Sequence, residues 1–342
     1  MNYYLKLFLF FTLISCIDKT NKNAVSNENF SDFIISFGSC DNQNIPNLMW
    51  DQILKNNPNV FVWGGDIVYS DTENMELMKK NYRQQKNDSV YQNFIKNVSI
   101  MGTWDDHDYG LNDGGIEFKK KDSVQQILLD FLDVDSLNIR RTRKGVYHSE
   151  IFKIGEYSIK IIVLDTRYFR TGLTKDPSGI KSYIPNSYGE GSILGNEQWQ
   201  WLKDELNHSK ANFNIIVSSI QFLSRNHGFE SWGNMPHEVD KMKGIISKSR
   251  AKGIILLSGD RHIAEISKDS LSNMNYPLID FTSSGLTHAY SSFNSESNEY
   301  RISEVISDKN FGILKFNFLQ NRVTMEIRGE NNILYQTYVQ NY

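Results

Sequence analysis

Trp104-Asp105-Asp106-His107-Asp108-Tyr109-Gly110 follows Val98-Ser99-Ile100-Met101-Gly102-Thr103, a run that reads as a strand ending in a turn. Three carboxylates and an imidazole in consecutive positions make a poor core, because like charges repel and resist burial unless a cation compensates them. A strand that delivers acids and a histidine to its C-terminal tip is how α/β enzymes present metal ligands and acid/base groups. Taken alone, the stretch also fits a solvated acidic turn, the lesser of the two readings. The rest of the chain has to decide.

Upstream, Phe33-Ile34-Ile35-Ser36-Phe37 reads as a buried strand running into Gly38-Ser39-Cys40. Asn47 to Asn56 has helical spacing and stops at Asn56-Asn57-Pro58. Val60-Phe61-Val62-Trp63 is a second strand, ending in Gly64-Gly65-Asp66-Ile67-Val68-Tyr69-Ser70-Asp71. Strand, helix, strand makes a parallel unit with both tips on one sheet edge, which brings Cys40 and Asp66 together.

Downstream, residues 72–97 read as polar and helical, and Asp122 to Asp133 as an amphipathic helix. Val146 to Phe152 and Tyr157 to Leu164 form a hairpin, and Thr171 to Ile193 a long irregular loop. Helices at Glu197–Leu206 and Val239–Arg250 alternate with strands at Phe213–Ser218 and Gly253–Leu257, the latter tipped by Ser258-Gly259-Asp260-Arg261-His262. From Leu278 the chain turns all-β, with a meander at Gly312–Phe318, Arg322–Arg328 and Ile333–Val339. Trp199 and Trp201 are expected in the core.

A hydrophobic content of 39% with 13% aromatics supplies a sizeable core, so disorder is excluded, and a net charge of -3 argues against a nucleic-acid-binding surface. Residues 1–15 carry one lysine and then a short apolar run, which fits a secretory signal and is too short to span a bilayer. Leu13-Ile14-Ser15-Cys16 resembles the lipobox of bacterial lipoproteins, making Cys16 the lipidated residue and residues 16–30 a polar tether to residues 31–342. An ordinary cleaved signal is the alternative; either way the protein is exported, to the periplasm or cell surface. With Cys16 lipidated, Cys40 has no disulfide partner and is either an inert buried thiol or a ligand.

Four strand tips thus carry ligand-type side chains: Cys40, Asp66 with Tyr69, Asp105 to Asp108, and Asp260 with His262. Thiolate, carboxylate, phenolate and imidazole together suit iron or zinc alongside calcium or manganese. Two metals about 3.5–4 Å apart polarise a phosphoryl group and activate water, and a nearby histidine can protonate the leaving oxygen.

The segments around Cys40, Asp66, Asp106 and His262, with Leu164-Asp165-Thr166-Arg167-Tyr168 and Leu194-Gly195-Asn196-Glu197-Gln198-Trp199, resemble the PhoD-like branch of the calcineurin-type metallophosphoesterases. The resemblance covers residues 33–290. It implies a single-domain α/β fold, a four-layer α/β/β/α sandwich, with a dinuclear centre that hydrolyses phosphomonoesters or phosphodiesters, lipid headgroups and cell-wall polymers among them. By the same resemblance Asp66 bridges two metals. Cys40, Tyr69 and His262 hold a ferric iron, Asp106 and Asp260 hold calcium, and His107 is the acid on the leaving group. Zinc or manganese are alternatives. The usual central histidine ligand is replaced near Ser219-Ile220-Gln221, an oxygen-rich substitution that favours calcium. An additional N-terminal domain is not expected, and the protein is expected to be monomeric.

Arg167, Arg261 and Arg83 are candidate phosphate contacts, since a guanidinium fork suits a pair of phosphoryl oxygens, but an ion pair with the acid cluster is the expected role for at least two of them. His227 and His237 are placed on a loop that could line the cleft, with His227 a candidate for substrate, and His288 could reach the site edge. His148 and His208 read as filler. The roles of Asp105, Asp108, Asn112 and Gln221 stay open. The alternative to catalysis is a calcium-dependent surface binding lipoprotein on the same fold, which would have no use for a proton donor at His107.

Overall fold

The apolar runs at the strand positions are continuous rather than alternating because both faces of each strand are covered. A computed structural model describes residues 31–302 and 304–342, and Ser31–Tyr342 form one unit. The proposed signal, tether and Cys16 lie outside the described residues.

One six-stranded sheet runs, edge to edge, Leu334–Asn341, Arg322–Gly329, Asn310–Asn317, Phe33–Gly38, Val60–Gly64 and Ser99–Thr103. The last three strands are parallel, and Phe33–Gly38 pairs antiparallel with Asn310–Asn317 on its other side. The second sheet runs Ala264–Asp269, Leu278–Ser283, Ile254–Ser258, Phe213–Val217, Tyr157–Val163 and His148–Ile154, with antiparallel strands only at its edges.

The sheets pack face to face. Ile35 and Phe37 of the first and Ile215 and Phe281 of the second share one core, with Phe37 set edge-on to Phe281 at 4.8 Å between ring centroids. The period-2 alternation sends Phe61 and Trp63 to the opposite face, under Trp50 and Phe131 from the helices Met49–Leu54 and Lys121–Phe131. The helices Gly195–Asn207 and Pro236–Lys248 cover the second sheet through Trp199, Leu202, Val239 and Met242. The result is the four-layer α/β/β/α arrangement.

Details depart from the sequence reading. Residues 72–97 hold two helices, Met75–Lys86 and Ser89–Ile95, because Asp88 caps the second by accepting from the Val90 and Tyr91 amides. The long loop contains a small hairpin, Thr174–Lys175 with Tyr183–Ile184. Ala264–Asp269 is a strand, and the all-β region divides: Leu278–Ser283 joins the second sheet and the meander the first. Trp201 is half-buried against Tyr147 rather than in the core. His148 is half-buried on an edge strand and His208 is an exposed residue following a helix. Among the described residues no helix is long and apolar enough to cross a membrane.

The inter-sheet core has no slack at Gly312, where an added Cβ would sit 2.0 Å from the buried Phe37 ring. Gly312→Ala should therefore lower unfolding stability by about 1–3 kcal/mol, the usual cost of overpacking, as measured by denaturant titration.

Candidate metal and acid/base centre

Strand ends from both sheets meet at one place. Cys40 follows Phe33–Gly38, Asp66 follows Val60–Gly64, and Asp105 and Asp106 follow Ser99–Thr103; Ser219 and Asp260 follow Phe213–Val217 and Ile254–Ser258. The approach is so close that a Cβ on Gly259 would lie 2.6 Å from Ser39 Oγ, 2.7 Å from the Gly64 carbonyl and 2.9 Å from that of Ser219. The turns at the tips are tight enough that Cys40, Asp66, Asp260 and His262 all take positive φ, at 62°, 50°, 70° and 56°. Non-glycine residues avoid this region at a cost of about 1–3 kcal/mol each, and such strain clusters at functional sites.

The candidate ligands converge. Atoms of Cys40, Asp66 and His262 lie within 4.8 Å of one another, as do those of Asp66, Asp106 and His107, and those of Asp66, Asp105, Asp106 and Asp260. Asp66 is common to all three groups. Tyr69 Oη donates to Asp66 Oδ2 at 3.3 Å and lies 3.2 Å from His262 Nε2, while Cys40 Sγ sits 3.5 Å from Asp66 Oδ2.

Asp66, Asp105 and Asp106 are buried, and Asp260 half-buried. Burial, and then the neighbouring carboxylates, push the carboxyls of Asp66 and Asp260 well above their usual range. Burial pushes Asp105 up to about 7 even though Arg167 opposes the shift. Burial also works against the Asp106 carboxylate, but the charges of Arg167 and His107 and the amides of Asp113 and His107 outweigh it, and Asp106 lies below the ordinary range. Asp66 Oδ1 and Asp105 Oδ2 are buried and accept no hydrogen bond. Orphaned carboxylate oxygens amid like charges, beside a thiol and an imidazole, fit cations. Cys40, Asp66, Tyr69 and His262 can hold one, and Asp66, Asp105, Asp106 and Asp260 another.

His107 is positioned by residues on both sides. Its Nδ1 lies 2.7 Å from Asp71 Oδ2, and its ring stacks on Tyr69 at 4.2 Å between centroids. Burial opposes its charging, yet the Asp71 hydrogen bond and the carboxylates of Asp66 and Asp106 raise its pKa to about 10. Asp71 stands inside the strand-tip segment read from the sequence, but nothing in its spacing marked it as the partner of His107. His288, by contrast, does reach the site, at 4.5 Å from the His262 ring and 5.1 Å from Tyr69.

The open roles resolve into structure. Asp108 ties two tips together by accepting from the Asp105 amide at 2.5 Å and the Ile67 amide at 2.9 Å. Asn112 is exposed and hydrogen-bonds to Asp113, whose own amide donates to Asp106 Oδ2 at 2.7 Å. Gln221 is turned away, donating to Glu265 and Thr282, and the residue that takes the expected place is Ser219, which donates to Asp105 Oδ1 at 2.5 Å.

Two of the three arginines are held in ion pairs, as expected of at least two of them. Arg167 is fully buried between Asp105, at 2.6 Å, and Glu230, at 2.5 Å, and Arg170 shares Glu230 from its other side at 2.8 Å. Arg261 is held by both carboxylate oxygens of Glu296 at 2.8 Å. Arg83 lies exposed on the helix Met75–Lys86, beside Ile127 and Asp130. His227 packs on Phe229 and belongs to none of the donor groups, and His237 meets Tyr188 edge-on and reaches the Gly191 carbonyl. Glu230 and Glu296 carry no local signal in the sequence, since their partners are distant in the chain.

A profile of PhoD-like phosphatases matches residues 134–334, beyond the Cys40, Asp66 and Asp106 tips but including Arg167, Asp260 and His262. Alkaline phosphatase D of Bacillus subtilis (strain 168) is 26% identical over 181 residues, which are 47% of this chain and 30% of that protein. The match thus spans less than a third of the relative's length. Among solved structures, that of PhoD superposes with a TM-score of 0.70 at 16% identity, covering 90% of this chain and 68% of the other. GAP50, described as the anchor in the inner membrane complex of Plasmodium, superposes at 0.54 with 11% identity, covering 90% and 88%. These two likenesses concern the fold.

Two measurements follow from this geometry. Dialysis against a chelator should lower the melting temperature by about 5–10 °C, with recovery on adding iron and calcium, and Asp66→Asn should abolish that recovery and the bound-metal stoichiometry. Arg167→Met should cost about 3–5 kcal/mol in urea unfolding, because it strands the buried Asp105 and Glu230 charges; a raised KM at unchanged stability would return Arg167 to the substrate.

Proposed function

This chain belongs to the PhoD-like phosphatase family, and on that premise we propose that it hydrolyses phosphate esters, monoesters or diesters, at a dinuclear centre bridged by Asp66. The observation that carries the proposal is the convergence of the three donor groups on Asp66, next to an imidazole fixed by a carboxylate. The likeness to alkaline phosphatase D supports the reaction class. The soft thiol beside Tyr69 and His262 favours iron in one position, and the all-oxygen set around Asp106 and Asp260 favours calcium in the other. Bound there, the cations would withdraw charge from a phosphoryl oxygen and make water a stronger acid.

The chain's own part in the chemistry is proton transfer and placement. Asp71 accepts from His107 Nδ1, which leaves Nε2 as the position that can present a proton to the departing oxygen. The Asp71 carboxylate on Nδ1 favours the charged imidazolium, the form that can donate. Tyr69 stacked on the ring limits its rotation. The salt-bridged layer of Arg167, Asp105 and Glu230 lies behind the cluster with no exposed surface and excludes water from that side.

For the chain as a whole, we infer export, with residues 1–15 as signal, 16–30 as tether and a lipid on Cys16; the pattern Leu13-Ile14-Ser15-Cys16 supports this. A binding protein on the same fold is the second reading, and the likeness to a protein described as an anchor keeps it in view. The Asp71–His107 pair counts against it, because holding a cation needs no oriented proton donor.

The test is hydrolysis of bis-p-nitrophenyl phosphate and p-nitrophenyl phosphate by the protein supplied with iron and calcium. Asp66→Asn should abolish it, and equal rates would sink the bridging role. His107→Gln should lower kcat about 10²–10⁴-fold on alkyl esters but much less on p-nitrophenyl esters, whose leaving group needs no proton. A loss independent of the leaving group would remove His107 as the acid.

A further inference from the structure

A cavity of about 430 Å³ opens beside the carboxylate cluster, lined by Phe229, Asp260, Arg261, His262, Ala289 and Tyr290. Asp260 and His262 belong to the cluster, so an occupant of the cavity touches the reaction centre. The remaining lining offers an anion little. Arg261, its only cationic side chain apart from the imidazole, is neutralised by the two-oxygen clasp of Glu296, and its guanidinium lies 4.1 Å from the centroid of the Phe229 ring. It builds the wall rather than presenting a charge.

Phe229 is 40% exposed, so part of its side chain is open to an occupant of the cavity. It is held in place on its other contacts. Its amide donates to His227 Nδ1 at 3.1 Å, and the two rings lie 6.0 Å apart at 30°. Tyr290 is anchored equally well, its amide donating to the His262 carbonyl at 2.7 Å, so its position is tied to the cluster. Two rings on backbone held beside the cluster select by shape and stacking, which a flat aromatic partner satisfies better than a flexible alkyl chain.

We propose that this cavity is the subsite for the organic portion of the ester, and that it takes a flat, uncharged ring, aromatic or heterocyclic, against Phe229 and Tyr290. The proposal rests on the phosphoester reading above and adds to it the class of alcohol. His227 enters as a positioning residue: it packs against Phe229 and is not among the residues lining the cavity.

Turnover alone would confuse ring recognition with leaving-group acidity, so the test is equilibrium binding. Calorimetric titration of the metal-supplied protein with phenylphosphonate and with methylphosphonate, neither of which it can hydrolyse, compares the ring with a methyl group on the same phosphorus. Phenylphosphonate should bind about five- to tenfold more tightly, and Phe229→Leu, which keeps apolar bulk and therefore the fold, should erase that difference while leaving methylphosphonate affinity unchanged. Phe229→Tyr should preserve it. Equal affinities in the parent protein, or a preference that survives Phe229→Leu, would overturn the subsite. Failure of both phosphonates to bind would overturn the phosphoester reading itself, which is a different result.

Discussion

Asp66, Asp105, Asp106 and Asp260 hold carboxylate oxygens within 4.8 Å of one another in a largely buried place, and their mutual repulsion governs what surrounds them. Charges that close, shielded from water, are stable only as protonated acids or next to positive charge. The chain supplies part of that charge itself through Arg167, which is why so large a cation is fully buried, and Glu230 then keeps Arg167 and Arg170 from being in excess. The excess that remains fits cations from solution. The charged form of His107, favoured by Asp71 and then by Asp66 and Asp106, adds to the balance.

The layer beneath the cluster is organised to keep these groups in place against their repulsion. Asp108 uses both oxygens on backbone amides from two different tips, and Trp104 and Val146 are joined through Asp165, which accepts the indole N–H at 2.8 Å and the Val146 amide at 2.9 Å. Of the acids in the Asp105-to-Asp108 run, then, one braces, one balances an arginine, and Asp106 faces the centre. Identical side chains take different roles because the short helix Asp106–Tyr109 turns them in different directions.

Much of this was legible in the sequence, and the reason is local. Fully buried parallel strands print continuous apolar runs, and the chain breaks into glycine and acid where they end, so Cys40, Asp66, Asp106 and His262 could be placed on one edge before any coordinates. Ala264–Asp269 escaped because an edge strand with Glu265, Lys268 and Asp269 prints no such run. The resemblance put the replacement for the central histidine near Ser219-Ile220-Gln221 without choosing among them; the chain has already turned by Gln221, and Ser219 is the one at the tip. The ion-pair role weighed for the arginines is the one found, but Glu230 and Glu296 could not be named as partners of Arg167 and Arg261, because pairing across 63 and 35 residues leaves no periodic trace.

The strand Phe33–Gly38 pairs on one side with Val60–Gly64, close in sequence, and on the other with Asn310–Asn317, near the far end of the chain. During synthesis its inner edge can therefore be satisfied early, while its outer edge must wait for almost the whole polypeptide to emerge. Until then an apolar strand edge stays open, which is the condition under which chains mispair and aggregate. Cys40 hangs from that same strand and meets Asp260 only across 220 residues. Joining Cys40 to Asp260 thus depends on contacts far apart in the chain, and closure of such contacts is expected to be slow.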